Sequence, residues 1–252
     1  MTGKLFVIGV GPGDPELLTL KGARILREVP CICVPKGREE GSSLALSIVQ
    51  KAVDLTGKEI IEAHFPMKKT AGSRQQGAGG GAQEADPSDA GVLDTKWNVT
   101  VEAVSAVLGR GTDMAFITIG DPTIYSTFFY LYDRLLEINP ELPIEFVPGI
   151  SSINAAAARV PLSLSLADEK IAVIPATYST DLEKLLGSFD TLVLMKVYRV
   201  FDAVRETLEK MQLAEKAVYV ARAGMDDERI VTDIRKVTED DLNYFSVVIV
   251  RK

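Results

Sequence analysis

Short apolar runs alternate with segments of helical periodicity through the first half of the chain. A run that is apolar throughout predicts a strand buried on both faces of a sheet, and apolar residues recurring every three or four positions predict a helix. The pattern predicts strands over residues 5–10, 31–34, 58–63, 114–119 and 144–147, and helices over 17–28, 43–53, 96–108, 127–138 and 151–159. Thr19 and either Ser42 or Ser43 are placed to cap two of these helices. The alternation is typical of an α/β domain whose mostly parallel sheet has helices on both faces.

The second half follows a different pattern. Strands are predicted over residues 171–174 and 191–195, helices over 182–189 and 200–211, and then three strands over 216–222, 229–234 and 245–251 without a helix between them. Consecutive strands joined by short turns favour antiparallel pairing. We therefore expect a second, α+β domain with a mixed sheet. A stretch with Pro161 and polar residues marks the boundary, which places the domains at residues 1–160 and 161–252.

One segment of the first domain, residues 69–93, differs from its surroundings. It has glycines at positions 77 and 79–81, with Gln, Ser, Asp and Pro around them, and almost no apolar residue larger than Ala. Such a segment buries too little surface to offset the entropy lost when the chain is ordered. We expect a flexible insertion that is either a lid beside a site or functionally inert.

Length and charge exclude several classes of protein. The chain has 252 residues, enough for two domains, and its formal net charge of −7 argues against a basic nucleic-acid-binding surface. No apolar run approaches the ~20 residues that span a membrane. The first residues lack the organisation of a signal peptide. We expect a cytoplasmic protein that binds neither nucleic acid nor membranes.

The few cysteine and histidine residues argue against metal and triad chemistry. The two cysteines, Cys31 and Cys33, lie in an apolar run and are expected to be small buried residues. A zinc site built from cysteine and histidine needs more ligands at other spacings, so no metal is expected. His64 is the one histidine and the chain has no G-x-S-x-G motif, which argues against a Ser-His-Asp triad.

A glycine-rich turn with the sequence GVGPGDP, residues 9–15, follows the first strand. A dinucleotide-binding loop needs a third glycine at position 14 and a helix that begins at once. Here Asp14 occupies that position and would repel a pyrophosphate, while Pro12 and Pro15 delay the helix. Two interpretations remain: a ligand-binding turn at the carboxyl end of a parallel strand, where open α/β sheets bind ligands, or a structural turn.

Two similar turns follow later strands. GDPTIYSTF, residues 120–128, follows the strand over 114–119, and PGISS, residues 148–152, follows the next strand. Gly120 lets a ligand approach the backbone, Asp121 can accept hydrogen bonds or face a cation, and Tyr125 offers a flat ring and a hydroxyl. Ser151 either contributes to a site or only caps the following helix. Several such turns on one sheet are stronger evidence for a binding site than any one of them.

In order and spacing, these three segments resemble those of the tetrapyrrole (corrin-ring) methyltransferases, a family that uses S-adenosyl-L-methionine. The resemblance covers nearly the whole chain and includes LVLMK at 192–196 and VARAG at 220–224. The strings HFPM at 64–67, YSTF at 125–128 and IPAT at 174–177 resemble the branch that methylates carbon 20 of precorrin-2. Sister enzymes typically have glycine where this chain has Ser126. Residues 69–93 depart from the resemblance, because members of the family typically have a shorter, more helical connection at this place.

The resemblance implies a tetrapyrrole-methylase fold of two domains, with the cofactor in a cleft between them, and a homodimer. It implies methyl transfer from S-adenosyl-L-methionine to carbon 20 of precorrin-2 or cobalt-precorrin-2 in cobalamin (corrin-ring) biosynthesis, with S-adenosyl-L-homocysteine as product. Carried over by motif, the cofactor contacts are Pro12, Gly120, Asp121, Thr123, Tyr125, Ser126, Ser151, Ser152, Met195 and Ala223.

The implied chemistry gives few residues a dedicated catalytic role. A sulfonium leaves as a neutral thioether, so no acid is needed, and the carbon nucleophile is activated by the ring's own nitrogens. A proton must later leave the methylated carbon; water, a substrate carboxylate, Asp14 or Tyr125 could accept it. The substrate carries many carboxylates. Four cationic side chains could bind these carboxylates, or they could be solvated surface charges. These cations are Lys36, Arg38, Lys68 and Lys69.

Two other functions stay open at this point. One is a sister methyltransferase that acts on another ring carbon, and the other is a nucleotide-binding module without catalysis. The observation that would distinguish these functions is binding of S-adenosylhomocysteine but not of NAD, followed by methylation of a reduced tetrapyrrole.

Overall fold

A computed structural model of the chain describes residues 2–36, 43–64, 87–178 and 181–252. The chain divides into two compact units. Unit 1 comprises Met1–Gly11 and Pro15–Ile150, and unit 2 comprises Pro12–Asp14 and Ser151–Lys252. This division falls before the predicted boundary at residue 160, because the helix that follows Ser151 packs against the C-terminal strand of unit 2.

Unit 1 contains a five-stranded sheet whose strands all pair in parallel, as the apolar pattern predicts. The strands are β1 Leu5–Gly9, β2 Cys31–Lys36, β3 Glu59–His64, β4 Met114–Thr118 and β5 Ile144–Val147, in the spatial order β3-β2-β4-β1-β5. The helices are α1 Leu20–Glu28, α2 Leu44–Ala52, α3 Pro87–Gly109 and α4 Phe129–Ile138. The Thr19 side chain caps α1 and the Ser43 side chain caps α2.

The core of unit 1 has two halves, one on each face of this sheet. Leu5 and Val7 of β1 face one half, which includes Phe116 and Phe128, whereas Ile8 and Ile117 face the other half with residues of α1 and α2. Side chains therefore alternate across the sheet although the strand sequences are apolar throughout. This explains why the strands read as continuous hydrophobic runs rather than as alternating ones.

Helix α3 begins earlier than the periodicity predicts. It runs over Pro87–Gly109 rather than 96–108, so residues 87–93 of the predicted insertion are helical. Proline is favoured at the first position of a helix, because an N–H group at that position has no partner within the helix and proline lacks one. Pro87 is therefore the signal that the prediction overlooked. The rest of the predicted insertion, residues 69–86, lies outside the described residues, and its role as lid or inert segment stays a prediction.

Unit 2 contains a mixed five-stranded sheet, which confirms the prediction for the second domain. Its strands are β6 Ile171–Pro175, β7 Thr191–Met195, β8 Ala217–Ala221, β9 Arg229–Val231 and β10 Ser246–Arg251, in the order β6-β7-β10-β8-β9. β6 and β7 are parallel and the other pairs are antiparallel. The helices are α5 Ser152–Arg159, α6 Leu182–Ser188 and α7 Phe201–Lys210.

The C-terminal strand β10 is the central strand of this second sheet. Val247 of β10 is opposite Met195 on one side and Val220 on the other, so the carboxyl ends of β7 and β8 flank the start of β10. Met195 and the loop after β8 therefore lie at one edge of the sheet.

None of the helices in the described part of the chain is long and apolar enough to cross a membrane.

Candidate functional site

The three predicted turns of unit 1 meet at one edge of the parallel sheet. β1 lies between β4 and β5, so the turns that leave these three strands are neighbours. The turns after β1 and β4 are joined by two backbone hydrogen bonds: Gly120 N–H donates to the Gly11 carbonyl at 2.8 Å, and Gly11 N–H donates to the Gly120 carbonyl at 3.3 Å. Gly11 and Gly120 both have positive φ, +82° and +73°, which favours glycine at each position.

The turns after β1 and β5 approach so closely that neither tolerates a side chain. A Cβ on Gly9 would lie 2.5 Å from the Gly120 carbonyl oxygen and 2.8 Å from the Gly149 backbone. A Cβ on Gly149 would lie 2.7 Å from the Gly9 carbonyl oxygen. Gly9, Gly120 and Gly149 thus form a backbone-to-backbone cluster, hereafter the glycine cluster. Sequence reasoning named Gly120 but gave no role to Gly149, although glycine after a strand and a proline was the available signal.

The carboxylate of Asp121 holds two of these turns in place. Its Oδ2 accepts a hydrogen bond from Gly149 N–H at 3.0 Å. Its Oδ1 accepts from the backbone N–H of Thr123 at 2.8 Å and from the Thr123 hydroxyl. Both oxygens are therefore engaged within the protein. The sequence offered two roles for this side chain, and the structure shows the hydrogen-bonding one.

Tyr125 and Ser126 complete the turn after β4. Tyr125 adopts a left-handed conformation with φ of +54°, unusual for an aromatic residue, and its side chain is exposed. Partial desolvation of the side chain raises the pKa of Tyr125 above its ordinary value of 10, and the phenol is protonated at neutral pH. The Ser126 hydroxyl accepts from Phe128 N–H at 3.2 Å and lies 3.5 Å from the Thr118 hydroxyl. It thereby links the start of α4 to the end of β4.

In unit 2, the segment Pro12–Asp14 lies directly against the turn after β8. A Cβ on Gly13 would lie 2.5 Å from Met225 Cγ and 3.1 Å from the Ala223 carbonyl oxygen. Gly224, with φ of +77°, would place a Cβ 3.1 Å from the backbone nitrogen of Asp14. Pro12 and Ala223 are both buried beside this contact. The structure thus brings together two predicted residues that are distant in sequence, and it adds Gly13 and Gly224, which sequence reasoning did not single out.

The other predicted residues of unit 2 lie on α5 and β7. Ser151 is buried and caps α5: its hydroxyl accepts from Asn154 N–H at 3.4 Å and donates to Asn154 Oδ1 at 2.7 Å. The structure shows the capping role of Ser151, and Ser152 follows it as the first helical residue. Met195 ends β7 and is partly buried.

The structure describes one of the four predicted substrate-binding cations. Lys36, at the end of β2, donates to both carboxylate oxygens of Glu62 at 2.9 and 3.0 Å, and the Lys36 side chain is only 14% exposed. His64, at the end of β3, lies 3.9 Å from the same carboxylate. Lys36 is thus held by an acidic neighbour rather than directed into solvent. Arg38, Lys68 and Lys69 lie outside the described residues.

The described part of the chain has no cluster of metal-ligating side chains, and its two thiols are buried. No group of histidine, cysteine, aspartate and glutamate side chains there is arranged to hold a metal ion. Cys31 and Cys33 are buried free thiols in β2. Burial raises the pKa of Cys31 to about 11 and that of Cys33 further, so both stay protonated and unreactive near neutral pH.

The loops fit a cofactor that carries a cation and no phosphate. In unit 2 Asp14 follows Pro12 and Gly13, and in unit 1 Asp121 follows Gly120, so each loop by itself carries a carboxylate that would repel a pyrophosphate and attract a sulfonium. Gly120 in unit 1, and Ser152 and Ala223 in unit 2, add little side-chain bulk to these loops. Each loop taken by itself therefore fits S-adenosyl-L-methionine, which has a sulfonium and no phosphate, better than a dinucleotide. That a cleft between the domains holds this cofactor stays a prediction.

Comparison with known proteins places these features in a family. The sequence profile described as Tetrapyrrole (Corrin/Porphyrin) Methylases matches residues 4–238. A cobalt-precorrin-2 C(20)-methyltransferase of Salmonella typhimurium is 35% identical over 256 aligned residues, covering 100% of this chain and 98% of the relative. A probable cobalt-precorrin-2 C(20)-methyltransferase of Methanocaldococcus jannaschii is 35% identical over 253 residues, covering 99% of this chain and 96% of the relative.

The fold matches solved structures as well. The uroporphyrin-III C-methyl transferase of Thermus thermophilus, solved as a complex with S-adenyl homocysteine, superposes with a TM-score of 0.62 at 19% identity, covering 99% of this chain and 98% of the neighbour. This likeness confirms the predicted fold. The profile match and the relatives of near-equal length together show that the chain belongs to the tetrapyrrole (corrin/porphyrin) methylase family.

Proposed function

We propose that this chain is a methyltransferase that transfers a methyl group from S-adenosyl-L-methionine to carbon 20 of precorrin-2 or cobalt-precorrin-2 in cobalamin biosynthesis. The observation that carries the proposal is the 35% identity over the whole chain to C(20)-methyltransferases. The glycine cluster supports it, because the turns that resemble the family's cofactor motifs meet at one edge of the sheet.

The proposed cofactor site divides by the kind of contact each residue can make. Asp121 and Ser151 have side chains engaged within the protein, so their contribution is to position backbone groups. Gly120 and Ala223 offer backbone groups and little bulk. Met195 adds an apolar, polarizable side chain. The full proposed set is Pro12, Gly120, Asp121, Thr123, Tyr125, Ser126, Ser151, Ser152, Met195 and Ala223.

When bound, the cofactor supplies a methyl group on a sulfonium whose departure leaves a neutral thioether. The main task of the protein is then to hold the two reactants in line, and such positioning supplies roughly 7–11 kcal/mol of a barrier. The contacts among Gly9, Gly120 and Gly149, fixed by Asp121, give the loop the rigidity that this requires.

Asp14 and Tyr125 have different proposed roles in the removal of the proton from the methylated carbon. A carboxylate can accept a proton near neutral pH, which favours Asp14 as the base. The phenol of Tyr125 is protonated at neutral pH and desolvation raises its pKa further, so Tyr125 suits a hydrogen-bond donor to the substrate. We propose that the substrate carboxylates bind four cationic side chains, those of Lys36, Arg38, Lys68 and Lys69. Lys36 would have to give up its ion pair with Glu62 to bind a substrate carboxylate.

The experiment that tests this function is incubation of the purified protein with precorrin-2, metal-free or cobalt-loaded, and S-adenosyl-L-methionine carrying a ¹³C-methyl group. We expect one new methyl carbon, assigned by NMR to position 20, and calorimetric binding of S-adenosylhomocysteine but not of NAD. Methylation at another carbon would identify a sister enzyme. Binding of S-adenosylhomocysteine without methylation of any reduced tetrapyrrole would leave only the binding module.

We further propose that the protein is a cytoplasmic homodimer. Phe129 and Tyr130 of α4 are exposed, and Ile124 just before it is exposed too, which gives a second copy an apolar surface to cover. The buried free thiols of Cys31 and Cys33 suit a reducing compartment. Sedimentation equilibrium of wild type and of Tyr130→Glu checks the dimer: we expect twice the chain mass for the first and a weakened dimer for the second.

A further inference from the structure

The carboxylate of Glu228 joins two parts of unit 2, the end of α5 and the turn after β8. Its Oε2 accepts a hydrogen bond from Gly224 N–H at 2.7 Å, and its Oε1 accepts from Arg159 Nε at 2.7 Å. The Glu228 side chain is only 10% exposed, whereas that of Arg159 is 58% exposed. Arg159 is the last residue of α5, so Glu228 connects the end of that helix to the turn after β8.

The turn after β8 is one that its own sequence does not favour. Arg222 has φ of +54° and Gly224 has φ of +77°, so two left-handed residues occur within three positions. Arg222 is not glycine, and a left-handed conformation at such a residue persists only where the surroundings impose it. Met225 N–H closes the turn on the Arg222 carbonyl at 2.9 Å. The hydrogen bond from Gly224 to Glu228 fixes the middle of this turn.

The same turn packs tightly against the Pro12–Asp14 segment. The close approaches of Gly13 to Met225 and of Gly224 to Asp14 exclude a Cβ at either glycine without displacement of its neighbours. A shift of the Gly224 peptide would therefore move Ala223 and the segment that contains Pro12. Both are among the residues proposed to contact the cofactor.

We propose that Glu228 is a positioning residue of the cofactor site, which holds Ala223 and Pro12 in place through Gly224 without touching the cofactor. The inference rests on the function proposed above, and it goes beyond it because neither the motifs nor the family resemblance assign a role to Glu228. The feature that matters is the reach of the carboxylate to Gly224 N–H; the exposed ion pair with Arg159 adds little.

Unit 2 offers a matched control in Asp241. Its Oδ1 accepts from Arg229 Nε at 2.6 Å, its Oδ2 accepts from Thr238 N–H at 2.9 Å, and its side chain is also 10% exposed. Asp241 thus makes the same two kinds of bond as Glu228, with one more from the Thr238 hydroxyl to Oδ2 at 2.9 Å, but to a turn that contains none of the proposed cofactor contacts. Loss of Asp241 should lower stability and leave cofactor affinity unchanged.

The test measures the affinity of the full chain for S-adenosylhomocysteine together with the melting temperature. Loss of a shielded acceptor in Glu228→Ala should raise the dissociation constant about tenfold. Glu228→Gln keeps an acceptor at the same reach and should stay within about threefold of wild type. Glu228→Asp keeps the charge but is shorter, so it should bind more weakly than Glu228→Gln. Arg159→Met should change the dissociation constant by less than about twofold, because its ion pair is exposed.

Steady-state kinetics separate positioning from general loss of structure. In the Glu228 variants, the KM for S-adenosyl-L-methionine should rise in parallel with the dissociation constant, while kcat at saturation changes by less than about threefold. Asp241→Ala should lower the melting temperature without changing KM.

Two results would overturn the proposal. One is wild-type affinity in both Glu228→Ala and Glu228→Asp; if Glu228→Ala does not fold, wild-type affinity in Glu228→Asp alone is sufficient. The other is an equal loss of affinity in Asp241→Ala. Failure of the wild-type protein to bind S-adenosylhomocysteine would instead contradict the proposed function, so the two failures are distinguishable.

Discussion

Residues without side chains determine the geometry of the edge where the turns of unit 1 meet. Gly9 and Gly149 lie in backbone contact, and Gly120 contributes a carbonyl to both approaches. Asp121 then fixes the arrangement by accepting from Gly149 N–H. An aspartate that a motif would assign to a ligand thus acts first on the protein itself, by holding two turns together.

Gly149→Ala tests this cluster directly. The added Cβ would meet the Gly9 carbonyl carbon and oxygen at 2.7 Å, and backbone cannot move aside as a flexible side chain can. We expect a loss of about 1–3 kcal/mol in unfolding free energy, the usual cost of overpacking, and weaker binding of S-adenosylhomocysteine. Urea unfolding and calorimetry measure the two effects. Gly109→Ala is the control, since a Cβ there meets nothing within 4 Å; an equal effect of both substitutions would contradict the role of the cluster.

Glu145 of β5 is the residue whose charge should make stability depend on acid pH. It lies 2.5 Å from Lys21 Nζ and 2.5 Å from Lys4 Nζ. Hydrogen bonds from Lys21 and Lys4 lower the pKa of Glu145 from 4.5 to about 2. The pKa of Glu145 is lowered only in the folded state. The stabilisation that ionised Glu145 gives the fold is therefore fully present above pH 4.5, the pKa in the unfolded chain, and it declines as pH falls from 4.5 towards about 2.

Glu145→Gln should therefore differ from wild type in a pH-dependent way. The gap in unfolding free energy should be widest at about pH 6 and narrower at about pH 3, because at pH 3 the carboxylate of the unfolded wild-type chain is protonated, which stabilises the unfolded state relative to the folded one. Urea unfolding at the two pH values measures it. Glu141→Gln, at an exposed position, should show no such narrowing, and a constant gap for Glu145→Gln would contradict the assignment.

At the scale of elements, local signals predicted the helices and strands well. Thr19 caps its helix as expected, and Ser43 and Ser151 cap theirs, each by one of two predicted alternatives, because a hydroxyl that accepts from the N–H three residues ahead makes a local interaction. Helix α3 was predicted too short, because Pro87 and the residues after it lack the apolar periodicity on which the prediction relied. The position of β10 could not be read locally at all, since it pairs with β7 and β8 rather than with β9, the strand before it.

The central position of β10 predicts where unit 2 is most sensitive. Ile249 is fully buried between Val193 of β7 and Val218 of β8. Ile249→Ala should cost about 2–5 kcal/mol of unfolding free energy, as expected for a core cavity. The same substitution at Ile171, which is 37% exposed on the edge strand β6, should cost less than about 1 kcal/mol. Urea unfolding compares the two, and equal costs would argue against β10 as the centre of the sheet.

At the scale of the whole molecule, the chain folds as two units that are not simply consecutive in sequence. Pro12–Asp14, part of the first glycine-rich turn, belongs with the second unit because it packs against the turn after β8. The segment next to it, up to Gly11, belongs with the first. A boundary drawn from composition alone could not show this, because the grouping depends on contacts between residues some two hundred positions apart.

The sequence by itself determined the class of fold, the mixed character of the second sheet and the family. Hydrophobic periodicity, helix caps and short glycine and proline motifs are local properties, and each is set by neighbours along the chain. The three turns could be predicted to share an edge because the carboxyl ends of parallel strands lie together.

Tertiary structure alone decided which partners hold the turns and charged side chains of each unit in place. The bond of Asp121 to Gly149, the pairing of Lys36 with Glu62 and the link from Glu228 to Gly224 and Arg159 join groups from different parts of the fold. No local rule selects such partners. A side chain finds the donor or charge that folding brings within hydrogen-bond distance, and that distance depends on the packing of every element between the two.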